Sequence, residues 1–175
     1  MAGFVCSRVP GAFRRGSGRT CLHWRPPIQA RLHISILAEG KSKFPWLEEG
    51  FREYEKRLSP YAQLHQLWVR DTPSLVRRTR QQRTAERVLA LDASRGKSCT
   101  SEEFARLVFD ELERGGSRIT FVIGGATGLP EQVLSEAHHV LSLSSLTFTH
   151  QMVRLILIEQ VYRAIEIRRH SPYHK

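Results

Sequence analysis

Apolar and polar residues alternate from Leu32 to Ala38, with β-branched Ile34 and Ile36 among them, and this period-two pattern predicts a strand ending at Gly40. Trp46, Leu47, Phe51, Tyr54 and Leu58 then recur at helical spacing between Pro45 and Pro60, which predicts an amphipathic helix. Gln63 to Arg70 alternates again. The apolar run Val88–Leu91, followed by Asp92, has the character of a buried strand. Thr100 and Glu103 have the spacing of a capping box, ahead of a helical face made by Phe104, Leu107, Val108 and Leu112 that Gly115-Gly116 ends. Ile119–Ile123 is the clearest strand. It runs into Gly124-Gly125-Ala126-Thr127-Gly128, with Pro130 placed for the first turn of a helix. Val140–Leu143 is a weaker strand leading to the polar turn Ser144-Ser145, and a long helix follows whose apolar period runs from Val153 through about Arg168. Strand and helix alternate without hairpin signals, so the expected class is α/β with a mostly parallel sheet.

That architecture names the places to look for chemistry. Ligands of such sheets lie beyond the carboxyl ends of the strands, so the loops after Leu91, Ile123 and Leu143 are the candidates. The glycine loop after Ile123 fits neither the GxGxxG pattern nor a P-loop, which disfavours a Rossmann oxidoreductase and a nucleoside-triphosphatase. His150 and Arg154 are one helical turn apart and share a face; Glu159, Tyr162 and Arg163 do likewise, with Glu159–Arg163 read as a structural ion pair. The ending His170-Ser171-Pro172-Tyr173-His174-Lys175 has the residues of a fixed surface element able to stack on or hydrogen-bond to a base, although chain ends are by default frayed. His138-His139 reads as a solvated helix end, and no Cys/His spacing suggests a metal.

Charge changes the picture chiefly by where it lies. The 175 residues carry a formal +10, but six arginines fall within residues 1–38 with no acidic residue, leaving +4 for the rest. Residues 1–31, rich in Arg, Gly and Pro, with Ser7, Ser17 and Thr20 and no carboxylate, have the composition of a mitochondrial or chloroplast transit peptide; a basic arm that stays attached and binds phosphates is the alternative. Residues 32–175 form the domain. Its basic stretch from Leu75 to Arg87 sets five arginines against Glu86 alone, which suits either a solvated helical face or a phosphate-facing surface. No run approaches the ~20 apolar residues of a membrane-spanning helix. Cys6, Cys21 and Cys99 are odd in number, and Cys99 reads as an ordinary loop thiol.

Several spaced motifs together resemble one family. Phe121–Gly125, Leu143–Phe148, His150-Gln151-Met152-Val153-Arg154, Ile158–Ala164 and Pro172-Tyr173-His174-Lys175 are similar to the RlmH family, the SPOUT-class ribosomal RNA large-subunit methyltransferases H, which methylate N3 of a pseudouridine. Ile36–Lys41 and Glu53–Leu58 match it too, so the resemblance covers the whole domain. It implies a SPOUT-type α/β knot with a C-terminal trefoil knot, a homodimer, S-adenosylmethionine as methyl donor, and large-subunit ribosomal RNA or the assembled ribosome as substrate. Carried over residue by residue, cofactor contacts fall on Leu91, Gly124, Leu143, Ser144, Ser145, Leu146, Thr147 and Phe148, which lie in the three loops named by the strand-end rule. His150, Arg154, Tyr173 and His174 become the catalytic candidates on the substrate side. The chain departs from the family pattern at Ala126-Thr127, at Thr149 and in a shorter, more arginine-rich Asp71–Arg87. A SPOUT-fold ribosome-assembly or RNA-binding factor without catalysis is the alternative.

Overall fold

A computed structural model describes residues 31–41 and 44–174. The arginine-rich segment up to residue 30, with Cys6 and Cys21, lies outside them, as does Lys175.

The hydrophobic pattern becomes six strands and five helices among the described residues: β1 (Leu32–Glu39), α1 (Pro45–Leu58), β2 (Ala62–Val69), α2 (Thr72–Arg83), β3 (Arg87–Leu91), β4 (Lys97–Ser98), α3 (Ser101–Arg114), β5 (Arg118–Ile123), α4 (Glu131–Glu136), β6 (His139–Ser142) and α5 (His150–Arg168). One sheet takes the order β2-β1-β5-β3-β6-β4, and every adjacent pair is parallel. The expected α/β class with a mostly parallel sheet is what forms.

The pleat divides the strand residues between two cores. Ile34, Ile36, Leu89, Leu91, Ile119 and Phe121 face α1, α3 and α5, meeting Phe51, Phe104, Leu157 and Val161. Their neighbours Leu37, Val88, Ala90 and Val122 face the other way, meeting Leu75 and Val133 of α2 and α4. Coverage on both faces explains why these strands read as nearly continuous apolar runs. Helix starts are set locally. The Thr100 and Glu103 capping box is present in both directions, and the Asp71 carboxylate accepts from the Ser74 amide at 2.9 Å.

The structure differs from the sequence reading in a few places. The Thr149 side chain accepts from the Met152 amide, so α5 starts at His150, in keeping with the shared face of His150 and Arg154, although the apolar repeat begins only at Val153. Pro130 is the N-cap of α4 rather than part of its first turn. The two-residue edge strand β4 is too short to carry an alternation. His138 and His139 are not a solvated helix end. The Val88 amide donates to His138 Nδ1 at 2.9 Å, and His139 opens β6 with Nε2 3.2 Å from the buried Glu111 carboxylate. Burial, with Arg87 and Arg83 nearby, lowers the His138 pKa, in keeping with a neutral ring that accepts at Nδ1.

Candidate active site

Three parallel strands end side by side. Leu91 of β3 pairs with Ile123 of β5 on one side and Leu141 of β6 on the other, and a loop leaves each strand at this edge.

After β3 the chain makes an aspartate-centred turn. Asp92 Oδ1 accepts from the Ser94 amide at 3.0 Å, the Ser94 hydroxyl at 2.8 Å and the Arg95 amide at 2.9 Å. The Arg95 guanidinium returns to Asp92 Oδ2 at 2.7 Å and also donates to the Leu129 carbonyl, which ties this turn to the glycine loop. Burial alone would raise the Asp92 pKa; the donors from Arg95 and Ser94 outweigh it and hold the carboxyl at about 2. Gly96 closes the turn against β6, where a Cβ would collide with the Leu141 carbonyl. The Asp92 amide donates to that same carbonyl at 2.9 Å.

After β5, Gly124 is buried, and its missing side chain is required by the backbone of Gly128, whose carbonyl a Cβ would strike. Gly128 has φ +80 and pairs back to Gly125, so the loop folds tightly on itself. After β6, Ser142 Oγ donates to the Ser144 carbonyl at 2.7 Å, and Ser144 Oγ accepts from the Leu146 amide at 2.9 Å. These bonds turn Leu146 and Phe148 outward, 68% and 37% exposed, a large apolar surface at the lip of the site.

The loops converge. Leu91, Leu143, Ser144, Leu146 and Phe148 surround one cavity of about 50 Å³, its wall completed by Asp92, Ala93, Leu141 and Val153. Gly124 stands at the neighbouring strand end, while Ser145 and Thr147 lie exposed on the β6–α5 loop outside the cavity lining.

The four catalytic candidates occupy different surroundings. His150 is half-buried at the first position of α5, directly after the loop. Arg154, one turn on, is 3% exposed; it donates to the carbonyls of Glu39 at 2.8 Å and of Gly40, with its guanidinium carbon 4.3 Å from the Trp68 ring centre. Burial lowers its pKa to about 10 against a smaller opposing effect of Glu48. Tyr173 packs edge-on against Tyr162 at 5.0 Å, and its hydroxyl donates to Glu159 at 3.1 Å. Burial, then Tyr54 and Glu159, push its pKa well above the usual phenol value. His174 Nε2 lies 2.7 Å from the carboxylate of Glu102 at the start of α3. The tail is therefore fixed in place, and the Glu159–Arg163 ion pair, 2.6 Å, is present as expected and also anchors Tyr173. Arg154 and the tail engage different elements, β1 and β2 in one case and α3 and α5 in the other.

With this geometry described, likeness to known proteins is decisive. Residues 32–174 match the family model described as "Predicted SPOUT methyltransferase". The "Ribosomal RNA large subunit methyltransferase H" of Protochlamydia amoebophila (strain UWE25) is 48% identical over 144 residues, spanning 82% of this chain and 99% of that protein. Its namesake in Carboxydothermus hydrogenoformans is 41% identical over 160 residues, 82% and 100% of the two chains. The chain belongs to this SPOUT methyltransferase family. A crystal structure of TrmJ from Z. mobilis ZM4 covers 77% of the chain and 70% of its own with TM-score 0.46 at 9% identity, a likeness too slight to add to the assignment.

In this SPOUT methyltransferase the motif residues account for only part of the strand-end architecture. Asp92, Arg95 and Gly96 organise the first loop, yet none was singled out from the sequence. Asp followed two residues later by Ser, at the end of an apolar run, is the Asx-turn signal that would have found the first of them. Trp68 and Glu39, which surround Arg154 and the glycine loop, come from strands 1 and 2 and carry no local signature.

Proposed function

We propose that this methyltransferase acts on large-subunit ribosomal RNA, moving a methyl group from S-adenosylmethionine to N3 of a pseudouridine, in a mitochondrion or chloroplast. The observation that carries the reading is the meeting of Leu91, Leu143, Ser144, Leu146 and Phe148 around one cavity at the sheet's carboxyl edge, next to Gly124.

The residues fit such a donor. Leu91, Leu143, Leu146 and Phe148 offer apolar walls for a purine, and backbone groups of the glycine and serine loops offer hydrogen bonds. The enclosed volume of about 50 Å³ is smaller than an adenosyl group, whose remainder would lie against the exposed Leu146 and Phe148. S-adenosylmethionine, when bound, supplies a methyl group already activated by its sulfonium, so the protein's task is alignment and removal of the N3 proton. Tyr173 is unsuited to take that proton, because its phenol is held protonated and already donates to Glu159. His150 and His174 are the imidazoles for the task, the second oriented by Glu102. Arg154 is buried under the turn at Glu39–Gly40, and in this reading it shapes the substrate side by fixing that turn.

The family's homodimer belongs to the same proposal. Met152, Leu155 and Ile156 of α5 are only half-buried, and Phe44 and Trp46 are 50% and 56% exposed, which gives a second copy apolar surface to cover. Organelle import rests on the composition of residues 1–31.

The test compares modified nucleosides in organellar large-subunit RNA with and without the protein, together with calorimetric titration of S-adenosylmethionine. Loss of N3-methylpseudouridine without the protein is expected. Saturable donor binding with an unchanged nucleoside profile would overturn the assigned target, and no donor binding would favour an assembly factor.

A further inference from the structure

The site described above occupies the loops after β3, β5 and β6; helix α2, beginning at the same sheet edge, takes no part in it. From Thr72 to Arg83 this helix carries Arg77, Arg78, Arg80 and Arg83 and no carboxylate, and Arg70 immediately precedes its N-cap. Leu75 and Thr79 are buried against the sheet, so the arginines project outward.

Their compensation is uneven. Glu136 of α4 takes Arg80 at 3.0 Å and Arg83 at 2.9 Å, one on each oxygen. Arg70, Arg77 and Arg78 are exposed, and the first two act on the carboxylate of Asp71. That carboxylate is already engaged by Ser74 as the helix cap. Among the described residues, Arg78 donates to the neutral Gln81, at 3.4 Å. Pro73, Val76, Arg77, Arg80, Gln81 and Thr84 line a shallow depression of about 420 Å³ along this face. Ordinary solvated helices intersperse both signs of charge, and a one-sign face repels itself unless a polyanion lies against it.

The position of α2 links this face to the site. Thr72 Oγ1 donates to Glu39 Oε2 at 3.1 Å, and the Glu39 carboxylate lies against Gly125, 3.1 Å from where a Cβ would stand. The start of the helix is thus joined through one side chain to the glycine loop.

We propose that the outer face of α2, centred on Arg70, Arg77 and Arg78 with Arg80 at its margin, docks the phosphate backbone of the RNA beside the target nucleotide. This inference rests on the reading of the protein as an RNA methyltransferase. It gives the local charge of α2 a purpose that the overall +10 could not reveal.

The test uses the full-length protein and a variant with Arg70→Ala, Arg77→Ala and Arg78→Ala. Binding to a large-subunit ribosomal RNA transcript is measured across a salt series, alongside thermal unfolding, S-adenosylmethionine titration and methyl transfer to large ribosomal subunits. Expected are RNA binding at least tenfold weaker and a slope of log K against log salt shallower by about 2, since each phosphate contact contributes about 0.7–0.9. KM for the RNA should rise while kcat, donor binding and melting stay unchanged. A variant matching the wild type in affinity and slope, while the wild type methylates, would overturn the α2 surface and leave the enzymatic reading standing. An equal loss from Arg106→Ala, an exposed cation on α3, would also overturn it, as would wild-type binding to anionic phospholipid vesicles but not to RNA. Wild-type protein that neither binds donor nor modifies RNA defeats the enzymatic reading itself.

Discussion

The Arg95 guanidinium donates to Asp92 Oδ2 at 2.7 Å and, through the same nitrogen, to the Leu129 carbonyl, so a single side chain spans the loops after β3 and β5. Both loops border the proposed donor site, and their spacing depends on this link. Arg95→Ala should weaken S-adenosylmethionine binding about tenfold by calorimetry, because a loosened loop must be ordered at the expense of binding free energy. Its effect on global stability should stay within about 1 kcal/mol in urea titration, since the Arg95 side chain is 42% exposed and its ion pairs are partly solvated. Arg95→Lys keeps one charge and should recover only part of the affinity, lacking the fork that reaches two acceptors.

The same turn sets an acid limit on stability. Asp92 has a folded pKa of about 2 against an ordinary 3.8, so its ionised form is favoured by folding. The stability this contributes is fully present above about pH 4 and is lost as pH falls through 2, an upper bound of about 2 kcal/mol. Asp92→Asn should therefore be less stable than wild type at pH 7 and converge with it toward pH 2. Parallel denaturation curves at every pH would contradict this.

How much of this was legible in the sequence follows from the reach of each signal. Strand and helix identity could be read because Ile34, Ile36 and Phe121 repeat with a period that local backbone geometry imposes. The loops of the site could be read because a parallel sheet places ligands at its carboxyl edge, and the motif at Leu143–Phe148 pointed to the same loop. Contacts that tie distant segments left no trace. Arg154 beneath the Glu39 and Gly40 carbonyls spans more than a hundred residues, and no periodicity encodes such a pair. The two-residue β4 is similarly invisible, since pairing to β6, not its own pattern, makes it a strand. His139 read as a helix end because the partner that draws it inward, Glu111, sits on another helix.

That glutamate is a fully buried ionic centre. Glu111 is 0% exposed, and its carboxylate accepts from Arg87 and Arg114, with His139 Nε2 at 3.2 Å. Burial opposes its ionisation, but Arg87, Arg114 and His139 together lower its pKa. Glu111→Ala should cost about 3 kcal/mol in chemical denaturation, the low end for breaking a buried pair, because Arg87 and Arg114 retain some solvent. Glu111→Gln should fall between, keeping the shape and some hydrogen bonds while losing the charge.

Two glycines should be intolerant for backbone reasons. A methyl group on Gly96 meets the Leu141 carbonyl and the Asp92 oxygen, and one on Gly124 meets the Gly128 carbonyl. Neither neighbour is a side chain that can swing aside. Gly96→Ala should destabilise the fold by about 3 kcal/mol or prevent its recovery in folded form. Gly124→Ala, at a loop that ends a strand, should act more on donor affinity than on melting temperature. Wild-type melting and donor affinity in both variants would show that these crossings yield more easily than the packing implies.

The chain's end offers the clearest separation of structural from chemical roles. The Tyr173 phenol is half-buried, donates to Glu159 and is held protonated far above neutral pH, so it has no ionisation to contribute between pH 6 and 9. Tyr173→Phe keeps the ring against Tyr162 and beneath the Arg163 cation, whose guanidinium carbon lies 5.0 Å from the ring centre. It should lower methyl transfer less than tenfold and leave the pH–rate profile unchanged in shape. His174 is held at 2.7 Å by Glu102, whose carboxyl that hydrogen bond, with the helix-start amide and Thr100, depresses to about 2. Glu102 thus remains a charged acceptor throughout the working range and orients one imidazole nitrogen. His174→Ala should reduce kcat by a hundredfold or more, a general base contributing about 10²–10⁴. Glu102→Gln should give a smaller loss, because the imidazole keeps a neutral acceptor in the same place. If His174→Ala retains the wild-type rate on assembled ribosomal subunits, the proton goes elsewhere, and His150→Ala becomes the variant expected to lose methyl transfer.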